Sequence, residues 1–356
     1  MKLYIAGGGN EYGRVCFLVE GETTSFLVDC GNIPVNDVPE YPHLTPEQIA
    51  SVSCVFLTHS HSGHSGGLPW LFEQGYTGPV VASEPTLSQL SFPVENPVKL
   101  EDICPGRFGE YKGIGVRWGR SGHCRGAVWY MFTLDGKTIL FSGDYAEITI
   151  VYAEDDIRHR KADFAVIDRG SNYFKTPEEC SFKDLITHVQ ELTEKHKLVL
   201  FPVPKYGYGA ELLRWLHRSY PDTPCYMDEL LITELKRTEG RFWHKSPPGR
   251  VITFASPMTG KETEGFLFIS DPQFTENSSR ELVDHVLANG GTILITSSEP
   301  LHTYGTELLT SGKASKFDFP VHFDKRLYKT LLDSNDFTKA IPYHADDLGN
   351  ETVYEF

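Results

Sequence analysis

The sequence predicts an α/β protein in two parts: a layered sandwich of short strands, then a unit built on a mainly parallel sheet. Three observations predict it. Over roughly the first 170 residues, short apolar runs are separated by Gly turns and helical spacing is rare. From about residue 180, runs of strand length alternate with stretches of helical spacing, the pattern of βα units. Histidines and aspartates also stand just beyond the ends of the early strands, which suits the edge of a sandwich better than one doubly wound sheet.

The elements follow in order. M-K-L-Y-I-A-G-G-G reads as a first strand entering a turn, too short and too Gly-rich for a signal peptide. Residues 26–31, 51–58, 128–132, 138–144 and 162–168 read as strands, and 66–75 and 85–90 as short helices. Residues 181–195 have helical spacing behind a Ser cap. Strand 197–203, helix 209–218, a strand at 224–228, helix 229–237, strand 250–256, helix 279–289 and strand 291–297 continue the alternation. This second domain covers roughly 196–325. The last thirty or so residues return to a strand-like 321–324, a short helix near 325–333 and I-P-Y-H-A-D-D at 341–347. No internal repeat or low-complexity tract is present.

The chain has 356 residues, enough for one large domain or two medium ones. No run approaches the ~20 apolar residues of a membrane span, so no membrane partner is expected. The seven cysteines are scattered, with no C-x-x-C, which suits a reducing cytoplasm rather than a disulfide scaffold. Cys124 beside His123 reads as a buried thiol. A formal net charge of −15 removes any global basic footprint and counts against tight sequence-independent binding of nucleic acid. A local patch can still act on a phosphate backbone, and R-H-R-K at 158–161 is the one modest basic cluster, read as a solvated loop. The Gly-rich 7–11 lacks the spacing and the lysine of a nucleotide loop.

Residues 58–67, T-H-S-H-S-G-H-S-G-G, carry the strongest chemical signal. His59 and His61 alternate by two after an apolar strand, so both imidazoles can face one ion. His64 follows a turn helped by Gly63 and can face a second ion. Imidazoles near carboxylates suit zinc and related ions. His123 precedes a strand, Asp144 follows one, and His344 is a further donor from far along the chain.

Together these residues resemble the metallo-β-lactamase superfamily, whose loop is H-x-H-x-D-H-x-G-G. Here His59, His61, Gly63, His64, Gly66 and Gly67 stand at the corresponding places. Asp29 resembles the family's earlier strand-end Asp, His123 its next metal ligand and Asp144 its bridging Asp. The second half resembles the β-CASP branch, whose members cut RNA or DNA. F-P-V-P-K-Y-G-Y-G-A-E-L-L-R-W-L (201–216), P-C-Y-M-D-E (224–229), A-S-P-M-T-G (255–260) and H-A-D (344–346) carry that likeness. The acidic motif residue then falls on Asp228, with Glu229 beside it.

The resemblance implies an αββα sandwich at 1–195, an inserted β-CASP-like domain at 196–325 and a return segment at 326–356 that completes the sandwich. It implies one or two Zn²⁺ ions, with Mn²⁺ as the alternative, held by His59, His61, His64, His123, Asp144 and His344. Asp144 and His344 become the catalytic pair, and Lys205 and Asp228 the substrate contacts. Lys205, near Tyr206 and Tyr208, reads equally as a solvent-facing loop residue. The chain departs from the pattern at Gly63, at P-Y before His344 and at Tyr208, where the branch has an arginine. Asp346 and Asp347 are candidate substitutes for the missing carboxylate. Three readings follow: a metal-dependent nuclease or phosphodiesterase, a non-catalytic subunit binding a protein partner, a second copy or nucleic acid, and a small-molecule metallohydrolase.

Overall fold

The structure is a computed structural model and describes residues 1–35, 38–170, 181–237, 242–245, 253–297, 301–319, 323, 325–345, 349 and 351–356. Two compact units are present: one of Met1–Glu147, Glu154–Tyr173 and His322–Phe356, the other of Ile148–Ala153 and Phe174–Val321. Sequence analysis puts the divisions at 195/196 and 325/326. The helix Phe182–Thr193 lies in the second unit because its buried Leu185 and Val189 join that unit's core.

The first unit is a sandwich of two mixed sheets. One has seven strands in the order Val353–Glu355, Lys2–Gly7, Cys16–Glu20, Ser25–Val28, Val52–Phe56, Val80–Ala82 and Pro97–Lys99. The other has six, in the order Asp336–Tyr343, Lys161–Asp168, Lys137–Phe141, Val128–Leu134, Ile114–Arg120 and Phe108–Tyr111. Aromatic rings fill the space between them: Phe26 lies 4.7 Å from Phe132, Phe56 5.7 Å from Tyr130, and Phe17 5.5 Å from Phe141. Such pairs add roughly 0.5–1.5 kcal/mol each beyond their buried area. Ile49, Leu68 and Leu71, from helices Pro46–Ser51 and Leu68–Glu73, pack with Leu18, Leu27 and Val55 on the outer face of the first sheet. Tyr328 and Leu331, from helix Lys325–Asp333, pack with Leu140, Ala165 and Ile167 on the outer face of the second. The layers are therefore α, β, β, α, as expected.

The return segment contributes to both sheets. Asp336–Tyr343 pairs in parallel with Lys161–Asp168, setting Tyr343 opposite Asp168, and Val353–Glu355 pairs with Lys2–Gly7. The expected strand-like 321–324 and the pair Asp346 and Asp347 lie outside the described residues, apart from Phe323.

The second unit is an all-parallel six-stranded sheet in the order Ser256–Pro257, Cys225–Met227, Gly265–Ile269, Leu198–Pro202, Thr292–Ile295 and Ala314–Lys316. Its helices begin where side chains can cap them. Ser181 accepts from Asp184 N at the start of Phe182–Thr193, and Asp228 from Leu231 N at the start of Glu229–Lys236. Buried Glu211, on helix Tyr208–Ser219, accepts the main-chain N–H groups of Ile150, Val151 and Tyr152 at 2.9, 2.8 and 3.1 Å. These bonds fix the 148–153 segment to the unit. The expected strand at 250–256 is described only from residue 253, and only Ser256–Pro257 pairs. No helix among the described residues is long and apolar enough to cross a membrane. Among them, six cysteines, Cys124 included, are buried free thiols.

Candidate metal centre

The centre is assembled at strand ends of the sandwich. Strand Ser25–Val28 ends at Asp29, whose left-handed φ of 60° turns its carboxylate back over the next strand. There it accepts from Thr58 N at 2.7 Å and Thr58 Oγ1 at 2.8 Å, and it meets His64 Nδ1 at 2.8 Å. Asp29 thereby fixes the loop after strand Val52–Phe56. With Nδ1–H donated to Asp29, Nε2 is the His64 nitrogen that could serve an ion, once the proton it shares with Asp144 is displaced.

Asp144, two residues beyond Ser142 at the end of strand Lys137–Phe141, lies at the middle of the histidines. Its carboxylate is 3.7 Å from His59 Nε2, 3.2 Å from His64 Nε2, 3.6 Å from His123 Nε2 and 3.6 Å from His344 Nδ1. Tyr343 donates its hydroxyl to Asp144 at 2.9 Å. His123 Nε2 and His61 Nδ1 approach to 3.1 Å. All six residues that the sequence proposes as ligands thus come together. Three groups have ligand atoms within 4.8 Å of one another: His59, His61 and His123; His59, His64 and Asp144; and Asp144, Asp168 and His344.

The electrostatics suit a cation. Burial opposes charge on His64, but Asp144 and Asp29 outweigh it and raise its pKa to about 10. Burial likewise opposes ionisation of Asp144, yet His64, His344 and His59 hold its carboxyl well below the usual range. Burial, then the charge of His64, push His59 well down, so it is a neutral donor. Nε2 of His59 and Nε2 of His64 are buried and carry no hydrogen bond. Buried imidazole nitrogens without hydrogen bonds, facing a shared carboxylate, are the donor set that zinc takes. The residues therefore fit the ion that the sequence implies.

Asp168 escaped the sequence reading. It is fully buried at the end of strand Lys161–Asp168, with its carboxylate 3.5 Å from His344 Nδ1. The parallel register of the return strand makes that pair, and His344 itself takes a φ of 52° while its ring stacks on Tyr12 at 5.7 Å. A usable signal existed: Asp168, like Asp29 and Asp144, follows an apolar strand run.

Gly63 lies in the short helix Ser62–Ser65, and its neighbours are packed against it. Its carbonyl accepts from Val15 N at 2.8 Å, and a Cβ on Gly31 would lie 1.7 Å from that oxygen. A Cβ on Gly63 itself would lie 3.1 Å from Gly13 Cα, so the main chain there would have to give by a few tenths of an ångström. Gly63→Asp is therefore expected to lower the melting temperature by roughly 3–8 °C through local overpacking while changing second-ion affinity. Thermal unfolding and metal titration of the variant check this; unchanged affinity would place Gly63 outside the site.

Lys205 and Asp228 belong to the second unit. Both Asp228 oxygens accept main-chain amides, from Leu231 at 2.9 Å and Ser270 at 2.5 Å, and Asp228 lines a cavity of about 480 Å³. Lys205 is exposed, with Nζ 5.4 Å over the Tyr206 ring.

Comparison with known proteins agrees with this geometry. The profile described as "Metallo-beta-lactamase superfamily" matches residues 9–172. "Probable RNase MJ4" of Methanocaldococcus jannaschii is 24% identical over 66% of this chain and 61% of its own length. "Transcription termination factor FttA" of Methanosarcina mazei is 26% identical over 65% of this chain and 42% of its own. "Integrator complex subunit 11" of Danio rerio is 24% identical over 60% of this chain and 41% of its own. The chain thus spans between 41% and 61% of these relatives. A solved structure of a protein of unknown function from Enterococcus faecalis V583 shares the fold, with a TM-score of 0.60 at 12% identity, covering 99% of this chain and 96% of that one.

Proposed function

Because the chain belongs to the metallo-β-lactamase superfamily, in its β-CASP-like branch, we propose that it is a metal-dependent phosphodiesterase that cuts RNA or DNA with water as nucleophile. The observation that carries the reading is the convergence of His59, His64, His123 and His344 around one buried carboxylate, Asp144, with His61 grouped beside His59 and His123. Named relatives described as an RNase and as a transcription termination factor support a nucleic-acid substrate over a small molecule.

His59, His61 and His123 would hold a first ion, and His64 and Asp144 a second, with the Asp168–His344 pair beside Asp144. Bound zinc or manganese supplies acidification of water and polarisation of a phosphoryl oxygen. The chain's own residues do the rest. Asp29 and Thr58 lock the orientation of His64. Asp144 and Tyr343 hold a fixed negative charge at the centre of the imidazoles. His344 is the proton donor to the leaving oxygen, with the Asp168 carboxylate 3.5 Å from its Nδ1 to orient the ring. Lys205, exposed in the second unit, is the substrate contact proposed there, while Asp228, also expected as one, has both oxygens engaged by main-chain amides.

Elemental mass spectrometry before and after Zn²⁺ and Mn²⁺ loading, followed by cleavage assays on single-stranded RNA and DNA, tests the reading. Close to two ions per chain and metal-dependent cleavage are expected. Absence of metal after loading would overturn it and favour the partner-binding reading, to which the glycine-adapted packing at Gly63 lends support.

A further inference from the structure

The first unit carries a second polar groove, of about 580 Å³, away from the histidines, on the strands Phe108–Tyr111, Ile114–Arg120 and Val128–Leu134. Its floor includes the indole of Trp129, which lies flat across its strand partner Gly119; a Cβ on Gly119 would be 2.5 Å from that ring. Phe108 stands at the rim on the edge strand, 76% exposed. Arg107, Arg117 and Arg160 surround these rings, with the Arg160 guanidinium 5.3 Å over Trp129.

The charges in the groove do not cancel. Asp155 is claimed by two partners, Arg107 at 2.6 Å and Arg120 at 2.8 Å. Asp156 is exposed and pairs outward with Arg158 at 3.5 Å. Arg117 has no ion pair and no side-chain hydrogen bond among the described residues. Arg160 donates one N–H to the main-chain oxygen of Asp156 at 2.8 Å, while its buried Nε has no acceptor. Burial, and then the nearby charge of Arg117, lower the pKa of Arg160. Arg117 and Arg160 thus share the groove with Asp155 and Asp156, which act on Arg160 but already have arginine partners of their own, and Arg117 is left with no ion pair among the described residues. Such a pair of arginines gains from an anion that bridges it, and an exposed flat ring beside it gains from a stacked base.

We propose that this groove binds single-stranded nucleic acid, with a backbone phosphate between Arg117 and Arg160 and a base stacked on Phe108. An acidic peptide would satisfy the arginines but would leave Phe108 without a stacking partner, so a strand that alternates phosphate and base fits better. The site extends the nuclease reading but does not rest on it, because neither its charges nor its rings belong to the metal centre.

The test uses the full chain stripped with EDTA, so that binding is read without cleavage. Fluorescence anisotropy of a labelled decauridylate is measured against wild type, Arg117→Ala and Phe108→Ala over a range of salt. Both residues are exposed, and circular dichroism controls for folding. Each variant is expected to weaken binding by about fivefold or more. The log–log salt slope should flatten by about 0.7 for Arg117→Ala and stay unchanged for Phe108→Ala. Hydrolysis of bis(p-nitrophenyl) phosphate by the metal-loaded protein should be the same in all three, which separates this site from the metal centre. Wild-type affinity in both variants would overturn the proposal. So would displacement of the oligonucleotide by polyglutamate with equal loss of polyglutamate binding in Arg117→Ala and none in Phe108→Ala, which would assign the groove to an acidic protein.

Discussion

Asp144→Ala is expected to reduce phosphodiester hydrolysis by at least about a thousandfold and to lower bound metal by one ion per chain or more. Its carboxylate lies within 3.7 Å of four proposed ligands, His59, His64, His123 and His344. Removing it takes a ligand from two of the three donor groups and leaves His64 with Asp29 alone as counter-charge. Asp144→Asn keeps the shape and the acceptor for Tyr343 while removing the charge, so comparing the two substitutions separates packing from electrostatics. Elemental mass spectrometry paired with bis(p-nitrophenyl) phosphate turnover gives both readouts. Activity within tenfold of wild type in both variants would show that the chemistry lies elsewhere.

The second large effect is expected at Asp168. Asp168→Asn is nearly isosteric in a fully buried position, so the fold should persist. The carboxylate that faces His344 Nδ1 at 3.5 Å is lost, and an uncharged amide that can also present its NH₂ to the ring does not orient it in the same way. A positioned acid contributes typically 10²–10⁴-fold, and a loss of about a hundredfold or more in kcat is expected. Metal content should fall by no more than one ion per chain, since His59, His61 and His123 do not involve Asp168. A substrate with a good leaving group needs little proton donation, so the deficit should shrink on bis(p-nitrophenyl) phosphate relative to RNA. An equal deficit on both would make Asp168 a structural residue rather than one acting through His344.

The donors were legible where chemistry is local. Three histidines in six residues, and aspartates just past apolar strand runs, announce a strand-end site without any knowledge of pairing. Asp168 carried the same local signal as Asp144. Its meaning depends on a parallel strand that begins at Asp336, and no periodicity reports which distant strand will lie alongside. The strand Gly265–Ile269 is absent from the sequence reading although it shows the same continuous apolar run as Leu198–Pro202 and Thr292–Ile295 in the same sheet, so a signal was present there too. The glycine at 63 was visible as a missing carboxylate. That Gly31, Gly13 and Val15 close around it was not, because close approach between main chains leaves no trace in composition.

The return segment also sets an order of events during synthesis. The second unit is made before the strand Asp336–Tyr343, and its six sheet strands pair only with one another, all in parallel. It can therefore close while the sandwich still lacks one strand in each sheet. His344 leaves the ribosome late and reaches Asp168 only when that strand docks. A nascent or prematurely ended chain consequently carries an incomplete centre, and the complete donor set arises only in a molecule whose sandwich has already closed.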